Sequence, residues 1–94
     1  LLIMVDPFAA DTFRLVQNRL AEELDISSRR VLLISMTSVI WRDSSLGCPL
    51  EDQTYHEAEI VGYRIVVTAG EQEYIYHSDS TNVYPCAPEN EVLP

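Results

Sequence analysis

The side chains of this sequence that could do chemistry are a histidine, a carboxylate and a set of hydroxyls. His77 and Asp79 sit two residues apart, and Ser44, Ser45, Ser78 and Ser80 accompany them. On a continuing strand, side chains at i and i+2 share a face, which would let a carboxylate orient an imidazole beside a serine. A hydrolytic triad is defined by geometry and not by order in the chain, and the Gly-x-Ser-x-Gly elbow of one large hydrolase class is missing. Local hydrogen bonding at a strand end accounts for His77 and Asp79 equally well. No catalytic residue is therefore assigned, and the chain is expected not to be an enzyme.

Metal chemistry is no better supported. Cys48, His56, His77 and Cys86 are zinc-ligand types but lack the close paired spacing of structural zinc sites, and a disulfide would consume the same thiols. Asp43, Glu51, Asp52, Glu57 and Glu59 supply oxygens that calcium accepts, without a DxDxDG-like loop. No metal and no cofactor is assigned.

Recognition has two candidate elements. The first is the loop Asp43-Ser44-Ser45-Leu46-Gly47-Cys48-Pro49, with Gly47 permitting a tight turn and Cys48 able to anchor it. A rigid loop that displays Leu46 would resemble how small protease inhibitors present a segment without ordering it on binding. Alternatively, the loop only closes a polar connection with Leu46 in the core. The second element is aromatic: Tyr74 and Tyr76 share one strand face and would form an amphipathic platform if exposed, or ordinary packing beneath a helix if buried.

These residues must be positioned by a short series of elements. Asp6-Pro7 reads as a turn and Asp11 as the N-cap of a helix over 12–24. Phe13, Val16, Leu20 and Leu24 form its apolar stripe, and Arg19 and Glu23 are spaced as an ion pair. Asp25 and Ser27-Ser28 end the helix, leaving Ile26 to fold back on the core. Val31 to Trp41 predicts a strand in which odd and even positions are both partly apolar. That pattern fits either a central strand or a bulge near Ser35 that switches the inward face. Ile60 to Ala69 predicts a second strand, Ala69-Gly70-Glu71 a hairpin turn, Gln72 to His77 a third strand, and Val83 to Cys86 a short last one with Pro85 suited to an edge. Arg64, the sole cation after residue 42, is expected to pair with an acid such as Glu73. The fold class is thus α+β: one N-terminal helix on a small, mostly antiparallel sheet of three to four strands. One domain is expected over residues 1–94, with its core at about 11–86 and a loose tail over 87–94.

The cysteines and the charge bound the setting. Cys48 and Cys86 each touch a proline in a turn-like context, which favours a disulfide over two buried thiols and hence an oxidising, extracytoplasmic compartment. The chain opens Leu1-Leu2-Ile3-Met4-Val5, too short an apolar run for a membrane span, and reads as a mature form or an excised domain. Fifteen acids face six arginines and no lysine, for a net charge of −9. Residues 1–42 are balanced, so the excess falls entirely after them. Such a surface repels nucleic acid and anionic lipid and favours a basic protein or cations.

Taken together, Trp41-Arg42-Asp43-Ser44-Ser45-Leu46-Gly47-Cys48-Pro49, then Gly62-Tyr63-Arg64, Tyr74-x-Tyr76-His77-x-Asp79 and Cys86 resemble a group of uncharacterised bacterial extracytoplasmic domains carrying a Trp-x-Asp-Ser-Ser-Leu-Gly-Cys-Pro signature. The resemblance spans roughly residues 20–86. It implies the disulfide and export and carries no activity. A glycine expected after Asp79 is replaced around Ser80-Thr81-Asn82, with Asn82 expected to take the left-handed geometry instead. The functional expectation is a non-catalytic protein-binding or accessory module, with a small protease inhibitor acting through residues 43–49 as the alternative.

Overall fold

The computed structural model describes residues 7–94. Helix α1 (Pro7–Leu24) is followed by a 3₁₀ turn (Ser28–Arg30) and strands β1 (Leu32–Asp43), β2 (Glu57–Ala69), β3 (Gln72–Ser78) and β4 (Val83–Pro85), then a second 3₁₀ turn (Pro88–Asn90). The four strands form one antiparallel sheet in the order β1-β2-β3-β4. The α+β class and the single disulfide are as the sequence implied.

The helix starts five residues earlier than the apolar stripe predicted. Pro7 opens it, where a fixed φ and a missing N–H cost nothing; the Asp6 half of the expected turn lies outside the described residues. Asp11 is therefore not a cap. It sits inside the helix, exposed, 3.3 Å from Arg14. The buried line runs through Ala9, Thr12, Val16 and Leu20, small residues at its start, and Thr12 satisfies its hydroxyl by donating to the Phe8 carbonyl. Leu24 is largely outside. The other end is as expected: Asp25 takes a left-handed φ of 56°, Ile26 N–H donates to the Ala21 carbonyl at 3.0 Å, and Ile26 folds onto the core, the geometry of a Schellman stop. Arg19 does not pair with Glu23; its guanidinium donates to the Val83 carbonyl at 2.8 Å and ties α1 to β4.

Strand β1 is an edge strand, which excludes the central-strand reading. Its pairing with β2 skips at Ile34, between Leu33↔Val67 and Ser35↔Val66. That extra residue is the bulge expected near Ser35. It explains the mixed apolar pattern, because the helix-facing set changes from odd (Leu33) to even (Met36). Under α1, Val16, Leu20, Ala21, Val31, Ile65, Val67, Ala69, Tyr76 and Val83 form the core. Each large member contributes roughly 1.5–3 kcal/mol by leaving water. The β2–β3 hairpin closes at Ala69↔Gln72 with Gly70 at a φ of 67°.

The second face of the sheet is covered as well. The connection after β1 and the chain after β4 fold over Trp41, and Cys48 is bonded to Cys86 with a Cα–Cα distance of 5.9 Å. Residues 87–94, expected to be loose, are docked: Val92 N–H donates to the Gly47 carbonyl at 2.9 Å, and Glu91 is held by two residues of the sheet. The cause is long-range pairing, which local composition does not reveal. Among the described residues no helix is long and apolar enough to cross a membrane.

Candidate functional site

The signature loop builds itself inward. The Asp43 carboxylate accepts from the Ser45 N–H at 2.9 Å and from its hydroxyl. These bonds hold Asp43 below its usual range, outweighing the small desolvation cost. Ser44 ties the loop's ends, its N–H donating to the His56 carbonyl at 3.0 Å and its hydroxyl accepting from the His56 N–H at 3.1 Å. Leu46 and Gly47 then take left-handed φ values of 53° and 71° in succession. That pair of turns drives Leu46 inside, where it is 6% exposed. Gly47 lies against the Trp41 ring so closely that a Cβ there would overlap it.

Beneath the loop lies a stack of sheet residues. Trp41 and His77 stack with ring centroids 4.6 Å apart and planes 18° from parallel, and both are 1% exposed. Trp41 Nε1–H donates to the Ser78 carbonyl at 2.9 Å. Gly62, across β2, allows this approach, since a Cβ would overlap the Ser78 carbonyl oxygen and crowd the indole nitrogen. His77 Nδ1–H donates to the Leu46 carbonyl at 2.6 Å, and Nε2 lies 2.7 Å from Glu91 Oε2. Arg64 grips the same carboxylate with two nitrogens, Nε at 2.5 Å and Nη2 at 3.0 Å, so its partner is Glu91 and not Glu73. Register explains the difference: Glu73 stands opposite Thr68, four residues up β2 from Arg64.

Arg64 holds the Glu91 carboxyl below the usual carboxylate range, burial opposes this, and His77 adds to the lowering. A carboxylate whose folded pKa is depressed stabilises the fold above its unfolded value and loses that contribution as pH falls through the folded value. Thermal midpoints should therefore fall on acidification below the ordinary value of 4.5. Glu91→Gln should lower the midpoint near neutrality and flatten the acid limb, leaving the part owed to Asp43 and Asp79, which are also lowered. An unchanged acid limb in Glu91→Gln, read by circular dichroism, would contradict the assigned network.

The sequence candidates are thus sorted by geometry. His77 does not meet Asp79, whose carboxylate accepts instead from the Thr81 and Asn82 N–H groups at 2.8 Å each. These bonds shape the turn, so Asn82 needs no left-handed φ and has none. The Ser78 hydroxyl accepts from the Tyr63 N–H at 3.0 Å. Cys48 and Cys86 are committed to each other, and no group of three metal-ligand side chains is assembled among the described residues. Tyr76 is buried under α1, which raises its hydroxyl pKa, and Tyr74 packs against the same core. Tyr76 is therefore internal, whereas Tyr74 stays half-buried at the edge of the core. Arg64 stood out in the sequence as a lone cation, but Glu91 was overlooked because it lay in the supposed tail.

A groove of about 320 Å³ stays open to solvent at the C-terminal end of α1, lined by Glu23, Glu73, Tyr74, Ile75, Pro85 and Pro88, and a smaller one of about 140 Å³ lies beside the signature loop, lined by Trp41, Asp43, Ser45, Gly47, Pro49 and Val92. Neither glutamate has an ion-pair partner among the described residues. Fold and site define a small disulfide-stapled α+β domain whose signature residues are tied to one another. The chain belongs to the family described as Domain of unknown function (DUF8738), matched over residues 13–86. No curated protein and no solved structure matches it.

Proposed function

We propose that this chain is a non-catalytic, extracytoplasmic protein-binding or accessory domain that receives a basic segment in the Glu23–Glu73 groove. The observation that carries this reading is the commitment of the reactive groups gathered around His77 and the signature loop. Both ring nitrogens of His77 and the hydroxyls of Ser44, Ser45 and Ser78 are engaged within the fold, whereas the two groove carboxylates are not. The bond between Cys48 and Cys86 suits an oxidising compartment, in keeping with the signature's resemblance to exported domains. A guanidinium or ammonium lying in the groove would meet two carboxylates, an aromatic ring and two prolines. The net charge of −9 would speed such an encounter. The inhibitor alternative loses its support, because Leu46 is interior and its carbonyl already binds His77.

Surface-immobilised protein should retain an arginine-rich peptide and release a glutamate-rich one. The pair Glu23→Lys and Glu73→Lys should abolish retention, while Glu51→Lys with Asp52→Lys, an equal change of charge on the exposed loop, should leave most of it. Equal losses from both pairs, or no retention by the parent, would end the groove assignment. Alkylation and intact mass of protein taken from its native compartment test the export reading, and two free thiols there would overturn it.

A further inference from the structure

The two edges of the sheet are built differently. Strand β4 has three residues and ends in Pro85, the short, proline-marked form that discourages further pairing. Strand β1 has twelve residues, and between Leu32 and Trp41 it carries no proline and no ionisable side chain. Among the described residues nothing pairs with its outer side. Beside it the surface is apolar: Leu32 is 58% exposed, Ile40 58%, and Val61, the cross-strand partner of Ile40, 64%.

We propose that β1 is a self-association edge, pairing antiparallel with β1 of a second copy of this chain to form one continuous eight-stranded sheet. Charge distribution argues for a second copy over a foreign strand. The entry to β1 is basic, with Arg29 and Arg30 exposed, while its exit is acidic on balance, with Arg42 beside Asp43, Glu57 and Glu59. Antiparallel pairing about a two-fold axis sets each basic entry beside the acidic exit of the other copy, and the uncharged seam keeps the remaining acids of the two chains apart. Register follows from the pleat. Opposed residues on paired strands share a face, so a two-fold axis at Ser38 sets Met36 opposite Ile40 of the second copy. Each Ile40–Val61 pair is then drawn toward the seam on the helix side. The blunted β4 edges leave the assembly closed at two copies.

Sedimentation equilibrium from micromolar to near-millimolar protein, at physiological salt, should show a monomer–dimer equilibrium without larger species. Ile40→Glu changes a side chain already exposed in the monomer and introduces a charge beside the seam in both copies. It should weaken association about tenfold or more. Leu15→Glu, on the exposed side of α1, should leave it unchanged. Reversing Arg29 and Arg30 to glutamate should weaken pairing, and adding Glu57→Arg and Glu59→Arg to the same chain should restore it. Hydrogen exchange of the β1 amides should slow as concentration rises. A chain that remains monomeric throughout overturns the proposal and leaves the edge to a foreign strand. Association indifferent to Ile40→Glu overturns it too, as does β1 protection independent of concentration in a monomer, which would mean that another part of the same chain covers the edge.

Discussion

Replacing Trp41 by alanine should cost about 3–5 kcal/mol of folding free energy, the range found when a buried aromatic leaves a void that its neighbours cannot fill. Trp41 is 1% exposed and joins three parts of the molecule. Its ring stacks on His77 of β3, its face packs Gly47 of the signature loop, and its indole N–H holds the Ser78 carbonyl at the end of β3. The neighbours cannot collapse inward, because Gly62 and Gly47 have no side chains to move into the space and the loop is pinned by the disulfide. A small domain has a total stability of roughly 5–15 kcal/mol, so the variant would sit near its unfolding threshold at room temperature. Trp41→Phe separates the contributions. It keeps most of the stack and strands the Ser78 carbonyl, for a loss of about 1–3 kcal/mol. Urea unfolding of the three proteins measures both losses. A Trp41→Ala loss below that of Trp41→Phe would show that the stack is not what organises this face.

How much of this was legible in the sequence depended on the range of the interaction involved. The stop of α1 at Leu24, the Gly70 hairpin and the bulge in β1 are written in neighbouring residues, and each lies where the pattern put it. The start of α1 was hidden because Ala9 and Thr12 are weak apolar signals, so the stripe seemed to begin at Phe13. Glu91 was missed for a different reason. Nothing near it marks it as structural, and its partners Arg64 and His77 are 27 and 14 residues away.

The candidate loop shows the same limit. Asp-Ser-Ser-Leu-Gly reads equally as a displayed segment or a buried turn. The choice was made by a left-handed φ at Leu46, which is a leucine and not the expected glycine. A non-glycine residue there carries backbone strain of about 1 kcal/mol or more. Burial of Leu46 and the bond from His77 to its carbonyl offset that strain. The tyrosines were ambiguous in the sequence because the i, i+2 spacing says which residues share a face but not which face the helix takes. With α1 on the Tyr76 side, the opposite side received Trp41, His77 and the signature loop.

Removing the covalent link should have the second large effect. Cys48 and Cys86 are 38 positions apart, and closing a loop of that length stabilises the fold by about 4 kcal/mol in the chain-entropy description. The bond also acts locally. It fixes the loop that carries Leu46 to the chain just past β4, where the Cys86 N–H donates to the Ile75 carbonyl at 2.8 Å. The double variant Cys48→Ser/Cys86→Ser should therefore lower the urea midpoint strongly. It should also raise the denaturant slope, because a freed unfolded chain exposes more surface than a cross-linked one. Chemical reduction of the parent should reproduce both changes. Combining the double variant with Trp41→Ala distinguishes entropy from local anchoring. If the link acts through the unfolded chain alone, the losses add, together approach the whole stability of a small domain, and leave the protein unfolded in buffer. If it acts mainly by pressing the signature loop onto Trp41, the combined loss falls well short of the sum and the protein stays folded. A double variant as stable as the parent, with an unchanged slope, would refute the stapling role itself.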